Sequence, residues 1–317
     1  CGRIRGKFAA KHFDKSNLGE ESSITALTYS HKYTLRFMPQ ISDKTYDLAI
    51  SFLTPHYFVR ERAKAKKYVA WIHTDYAALS FDRAAEISMW SKYDSICGVS
   101  DQTSKSFQTI FPEIAEKVQT IENILPSKLI VKQSCLKQDD MRSGNSISLL
   151  SIGRFCEAKN FDNIPDICRR IVKSGLDVKW YLIGFGTDEE IIRSKIKEFD
   201  MEDNVIILGK KINPYPYIKN CDLYVQPSRY EGKAVTVREA QMLCKPVVIT
   251  KFATSSSQLK DGYDGIIVPM DNQGCADGIA KLLNNKVLMQ QLSENCAEND
   301  YSNSQEINKI YEIIENS

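Results

Sequence analysis

No stretch of the 317 residues approaches the roughly 20 uninterrupted apolar residues that a membrane span requires. No apolar run follows the opening CGRIRGKF, so no secretory signal is expected there. Nine cysteines occur, an odd number with no C-x-x-C pair, and the four histidines are scattered. That pattern supports neither a disulfide framework nor a zinc site, and it predicts reduced thiols in a reducing compartment. The formal net charge is only +2, too small for the chain as a whole to bind polyanions by charge. No basic run is interleaved with aromatics in the manner of a nucleic-acid module, so no nucleic-acid partner is expected. A complete G-x-G-x-x-G is also missing. The nearest approach, Gly184-Phe185-Gly186, has Glu189 in place of the third glycine and follows an interior strand, which counts against a nicotinamide-dependent dehydrogenase. No internal repeat or low-complexity tract appears. The first residue is Cys, and no strand is expected before residue 24; the natural N-terminus is expected to lie upstream.

What is present is an ordinary globular composition, 43% apolar and 26% charged, in a chain long enough for two α/β domains. Short apolar runs at 47–53, 68–72, 94–99 and 117–124 have the length of buried strands. Helices are expected at 81–92 and 101–110, and RERAKAKK before residue 68 reads as helix or loop. Residues 132–146 lack apolar periodicity and form the expected linker. Beyond it strands at 147–152, 178–183, 204–208, 222–226, 246–250 and 266–268 alternate with helices near 160–174, 188–199, 213, and 235–244. Three more helices follow at 275–284, 286–297 and 304–315. In the helix near 160–174 Ile164, Ile167, Cys168 and Ile171 fall on one face. The alternation predicts parallel sheets covered on both faces, with ligands at the C-terminal strand ends.

Charge is uneven. Arg3, Arg5, Lys7, Lys11 and Lys15 face a single acid, Asp14, and Arg60, Arg62, Lys64, Lys66 and Lys67 face Glu61. Two readings stay open: solvated helix faces, or a basic surface of the N-terminal half resting on anionic lipid.

The loops after the second set of strands carry groups suited to an anionic sugar donor. Gly153-Arg154 ends the 147–152 strand, and Lys159 follows at an expected helix start, an arrangement that suits a diphosphate. Gly184 occupies the next loop. In QPSRYEGKAVTVREAQ, residues 226–241, Glu231 sits where a carboxylate can accept hydrogen bonds from sugar hydroxyls. The amides of Gly232, Lys233, Ala234 and Val235 approach a helix N-terminus and would point toward an anion. Glu239, in the early turns of that helix, would reach a ribose diol. In the first half His73 ends the 68–72 strand; it is either a structural histidine bonded to backbone or a group lining a cleft.

These residues, in this order, resemble family 4 of the retaining glycosyltransferases. The matching stretches are WIHTDY at 71–76, GVS at 98–100, ENILP at 122–126, SIGRFCEAKN at 151–160, LIGFGTDEE at 182–190, ILGKKIN at 207–213, CDLYVQPSRYEGKAVTVREAQ at 221–241 and GYDGIIV at 262–268. The resemblance runs from about residue 46 to the end and is similar to enzymes of bacterial surface-polysaccharide assembly. It implies a GT-B fold: two Rossmann-like domains facing across a cleft, here an incomplete acceptor-side domain at 1–140 and a donor domain at 141–300. Residues 301–317 would cross back to the first domain. It implies a nucleoside-diphosphate sugar donor, UDP-sugar favoured, a glycan or lipid-linked acceptor, and no metal or other cofactor. Arg154 and Lys159 would neutralise the diphosphate and Glu231 would contact the transferred sugar. Glu239 would hold the ribose, backbone near Lys210 and Lys211 would meet the base, and His73 would line the cleft. The reduced thiols point to the cytoplasm, and the basic runs leave the inner face of the plasma membrane as one option. The family's N-terminal glycine-rich loop has no counterpart in residues 1–45. A nucleotide-sugar epimerase on the same fold and a non-catalytic nucleotide-sugar-binding scaffold are the alternatives.

Overall fold

The computed structural model describes residues 2–17, 23–141 and 144–315, leaving the side chains of 14–17 and 23 aside. Lys15, the last cation of the first basic run, and Cys1 lie outside the described residues and side chains. The chain divides into two compact units, Cys1–Asn123 with Gln305–Ser317, and Ile124–Ser304. Among the described residues no helix is long and apolar enough to cross a membrane.

The first unit opens with two helices that no apolar periodicity announces, α1 (Gly2–Asn17) and α2 (Ser23–Thr34). They pack through small residues. A Cβ on Gly6 would lie 2.6 Å from the Ser30 Cα, so the two backbones meet there without a side chain between them. Four strands follow with their intervening helices: β1 (Thr45–Ser51), α3 (Tyr57–Arg62), β2 (Lys64–Ile72), α4 (Arg83–Trp90), β3 (Ser95–Gly98), α5 (Asp101–Ile110) and β4 (Val118–Thr120). They form one parallel sheet in the order β1-β2-β3-β4. Ser100 caps α5 by accepting from the Thr103 amide at 3.2 Å. Trp90, Phe107, Phe111 and Tyr76 pack in the core beside Ile96. The buried carboxylate of Glu86 accepts from Thr28, Tyr76 and the Trp90 indole, and so pins α2 to α4.

The second basic run is split between two elements, a correction to its reading as helix or loop: Arg60 and Arg62 end α3, and Lys64 begins β2. Much of its charge is spent inside the unit. Arg60 donates to the Lys92 carbonyl at 2.8 Å over the Tyr68 ring, Arg62 donates to the Leu35 carbonyl at 2.9 Å, and Lys66 pairs with Asp47 at 2.6 Å.

The second unit begins with α6 (Ser127–Ser134) and continues through β5 (Ile147–Ile152), α7 (Ile164–Lys173), β6 (Val178–Ile183), α8 (Glu189–Glu198), β7 (Val205–Gly209), α9 (Tyr215–Asn220), β8 (Leu223–Gln226), α10 (Val235–Met242), β9 (Val247–Thr250), β10 (Ile266–Val268), α11 (Asn272–Leu283) and α12 (Lys286–Ala297). All six strands are parallel, ordered β10-β9-β8-β5-β6-β7, with an apolar cluster on each face. Ile164, Ile167, Cys168 and Ile171 are fully buried on the predicted face of α7. That helix starts at 164 instead of 160, because Asn160 adopts a left-handed φ of 58° and Pro165 sits in the first turn. The stretch read as a linker includes the end of α6 and is tied down. Asn213 donates to the Gln133 carbonyl at 3.0 Å and Tyr217 to Asp140 at 2.6 Å. The compact units therefore divide at 123/124 and not at 140/141.

After this unit the chain returns to the first through α13 (Ile307–Glu315), whose Ile310 and Ile313 cover Val69, Trp71 and Cys97. Lys309 donates to the Thr120 carbonyl at 3.0 Å, and Glu306 accepts from the Glu122 amide at 2.9 Å.

Candidate functional site

Because β5, β6 and β8 run parallel, the loops that follow them leave the same edge of the second sheet. The first two are laced together. The Gly153 amide donates to the Ile183 carbonyl at 3.0 Å, and the Phe155 amide to the Phe185 carbonyl at 2.9 Å. A Cβ on Gly184 would fall 1.8 Å from the Gly153 carbonyl oxygen, and one on Gly186 would fall 2.1 Å from that of Phe155. The two glycines thus serve loop-to-loop contact within the protein.

Lys159 closes a short 3-10 turn, Glu157–Lys159, and is not at an α-helix start, the consequence of the Asn160 conformation. Its aliphatic stem lies over Gly153, 3.4 Å from where a Cβ would be. Its ammonium pairs with the Glu231 carboxylate. Ser228 donates to the same Glu231 oxygen at 2.7 Å, and Thr254 donates to the Glu231 carbonyl at 2.6 Å. Arg154 in the same loop is exposed and makes no ion pair or hydrogen bond, a cation available to solvent. Arg229 fastens the β8 loop to the β5 loop. It forks onto Asp162 at 3.0 and 3.1 Å and donates to the Glu157 carbonyl at 2.6 Å. Burial pushes the Asp162 carboxyl up, but hydrogen bonds from Arg229 and Lys195 outweigh it and hold the group below the usual range.

The segment 232–235 departs from expectation. The Ala234 amide donates to the Gln258 side chain at 2.8 Å, and Gln258 in turn donates to the Gly232 carbonyl at 3.1 Å. The Lys233 ammonium donates to the Ser257 carbonyl at 2.7 Å and is buried. The Ala234 amide is therefore committed to a protein partner, a correction to its reading as an anion-facing group, and the Lys233 side chain is held within the loop. Val235 opens α10 behind Ala234.

Glu239 is buried and accepts from the Tyr215 hydroxyl at 3.1 Å. Burial raises its pKa above the ordinary carboxyl value, and the Tyr215 hydrogen bond offsets only part of that. A buried polar chain connects Glu239's helix to Glu231. Thr236 and Tyr224 both donate to the Gln226 oxygen, at 3.3 and 2.8 Å, and the Gln226 amide donates to Ser228 at 2.9 Å. Burial lifts the Tyr224 phenol, and the charges of Glu239 and Glu231 act on it in the same direction.

Lys210 stacks its ammonium over the Phe185 ring at 5.2 Å, and Lys211 pairs with Asp140. In the first unit the His73 ring lies on Phe52 at 4.6 Å. Burial lowers its pKa, and a hydrogen bond to the Phe52 backbone opposes that; its Nε2 is buried without a partner. Among the described residues no group of three His, Cys, Asp or Glu side chains is placed to hold a metal ion.

Sequence reasoning missed Gln226, Ser228 and Arg229, although they adjoin Glu231; polar residues in a loop carry no periodicity. Gln258 lies 24 residues from the amide it caps and had no local signal.

Residues 136–302 match the family described as glycosyl transferases group 1. The poly(ribitol-phosphate) alpha-N-acetylglucosaminyltransferase of Staphylococcus aureus is 28% identical over 150 residues, 47% of this chain and 30% of that protein. The N-acetyl-alpha-D-glucosaminyl L-malate synthase of Bacillus anthracis is 26% identical over 202 residues, 62% of this chain and 53% of that protein. The chain thus spans a third to a half of the length of these relatives. The crystal structure of Anabaena Alr3699/HepE in complex with UDP-glucose superposes with a TM-score of 0.71 at 16% identity, covering 93% of this chain and 77% of that one. That likeness is one of fold, two parallel-sheet α/β units of the GT-B type. With a match over more than half of its residues, on the segment that holds Arg154, Lys159, Glu231 and Glu239, the chain belongs to the glycosyl transferases group 1 family.

Proposed function

We propose that this chain is a retaining, metal-independent glycosyltransferase of family 4. It moves a sugar from a nucleoside-diphosphate sugar, UDP-sugar favoured, to a glycan or lipid-linked acceptor in surface-polysaccharide synthesis in the cytoplasm. The observation that carries the reading is the Lys159–Glu231 pair at the edge shared by β5 and β8, with Arg154 unpaired in the same loop. Support for the donor comes from HepE, solved with UDP-glucose, and support for the process from the names of the relatives.

In the proposed reaction the bond between the anomeric carbon and the phosphate oxygen breaks while the acceptor oxygen bonds to that carbon on the same face. Negative charge grows on the leaving phosphate, and the acceptor's proton passes to it. Arg154 and Lys159 stabilise that charge; one fixed donor of this kind is typically worth about 2.7–4 kcal/mol. Donor entry draws Lys159 from Glu231 to phosphate, which leaves the Glu231 carboxylate to accept from a sugar hydroxyl. Glu239 accepts from the ribose diol. The unpartnered His73 nitrogen is the proposed contact of the first unit with the acceptor.

Calorimetric titration with UDP tests the donor site. Binding by the wild type that Arg154→Ala weakens at least tenfold supports it. Heats indistinguishable from buffer would sink it.

A further inference from the structure

The proposed transfer site leaves α1 unexplained, and the two basic runs part company in their surroundings. The cations at 60, 62 and 66 are satisfied within the first unit, as described above. Arg5, Lys7 and Lys11 on α1 are exposed and hold no ion pair or hydrogen bond. Residues 2–13 contain no acid at all. Gly2, Gly6 and Ala10 are buried toward α2. Ile4, Lys7, Phe8 and Lys11 follow the i, i+3, i+4, i+7 spacing, so they share a face of the helix turned away from α2. On that face Ile4 is 62% exposed and Phe8 72% exposed, and in the adjoining groove of Arg3, Lys7 and Ser30 the α2 residue Leu27 is 43% exposed.

Large apolar side chains at that exposure gain free energy only when something removes them from water. Among the described side chains the charged groups beside them are cations, which favours an anionic occupant. A protein partner could offer carboxylates, but the pattern suits a bilayer better. Two apolar tips can enter the acyl boundary while long lysine and arginine chains reach back to a plane of phosphates.

We propose that the outer face of α1 docks on an anionic lipid surface, with Ile4 and Phe8 inserted and Arg5, Lys7 and Lys11 on the headgroup phosphates. The charge pattern offered lipid contact through both basic runs; with the cations at 60, 62 and 66 engaged inside the first unit, the proposal rests on α1.

The test is co-sedimentation of the full chain with two sets of vesicles, one of phosphatidylcholine alone and one of phosphatidylcholine and phosphatidylglycerol in equal parts. Neither sugar transfer nor UDP binding enters the readout, so the result stands apart from the donor-site reading. The wild type is expected to partition onto the anionic vesicles and to release as salt rises. The double variant Lys7→Glu/Lys11→Glu is expected to lose about tenfold or more in partition. Phe8→Ser, checked for unchanged circular dichroism, is expected to bind more weakly even at low salt. Equal partition of the wild type and both variants overturns the proposal. So does a wild type that ignores vesicles but self-associates in a way that Phe8→Ser abolishes, which would make a second copy of the chain the occupant.

Discussion

The ammonium of Lys159 rests on the carboxylate of Glu231, two side chains 72 residues apart in sequence that the parallel sheet brings to one edge. Each neutralises the other, with 21% and 11% of the side chains exposed. Lys159→Met leaves a largely buried carboxylate held by Ser228 alone. Its expected cost is about 1–3 kcal/mol in urea unfolding, and part of that should return in Lys159→Met/Glu231→Gln, where no charge is stranded. Transfer is expected to fall about 100-fold or more in the single variant. Additive losses of stability would show that the two groups are not coupled.

The lacing of the β5 and β6 loops sets a second expectation. Gly184→Ala and Gly186→Ala each force a methyl group onto a carbonyl oxygen, which should cost about 3 kcal/mol. Gly175 has a φ of 94° and open space around it, so Gly175→Ala carries backbone strain alone, about 1–2 kcal/mol. Thermal unfolding of the three variants gives the ranking.

His56 ties the stability of the first unit to pH. It is fully buried, its Nδ1 lies 2.8 Å from the Ser51 hydroxyl, and its ring sits 4.4 Å from Trp90. Burial, with a smaller contribution from His73, lowers its pKa from 6.5 to about 3. The unfolded chain takes up this proton below pH 6.5 and the folded chain does not. The stabilisation is thus whole above that value and drains as the pH falls toward the folded pKa, at about 1.4 kcal/mol per pH unit. Unfolding midpoints measured down through that window should show a slope in the wild type that is reduced by about 1.4 kcal/mol per pH unit in His56→Gln, with burial of His73 and His31 contributing to what remains.

Glu239 bears on binding. Its carboxyl is raised by burial above the ordinary value of 4.5, so it protonates earlier than an exposed acid as pH falls. A protonated Glu239 is a poorer acceptor for a ribose diol. UDP affinity should therefore decline toward acid with a midpoint above that ordinary value, and Glu239→Gln should flatten the profile. A wild-type profile as flat as the variant's would remove Glu239 from the site.

Both sheets were legible because buried parallel strands are written as short apolar runs, and all ten such runs became strands. That Arg154, Lys159 and Glu231 gather at one edge of the second sheet was legible, because each follows one of those runs. The loop interior was not. Whether the Ala234 amide faces a ligand depends on Gln258 arriving from another loop, and whether Lys159 starts a helix depends on the backbone of Asn160. The hairpin of α1 and α2 was missed because its contact face is built from Gly2, Gly6, Ala10 and Ser30, which no hydropathy pattern marks.

The helix α13 that covers Val69, Trp71 and Cys97 has a consequence for biosynthesis. The ribosome delivers it only after the entire 124–304 unit, so the earlier sheet must wait with one apolar side bare while its successor folds. Chains stalled or cleaved before residue 305 would carry that bare side permanently, and they would be the natural clients of chaperones and proteases.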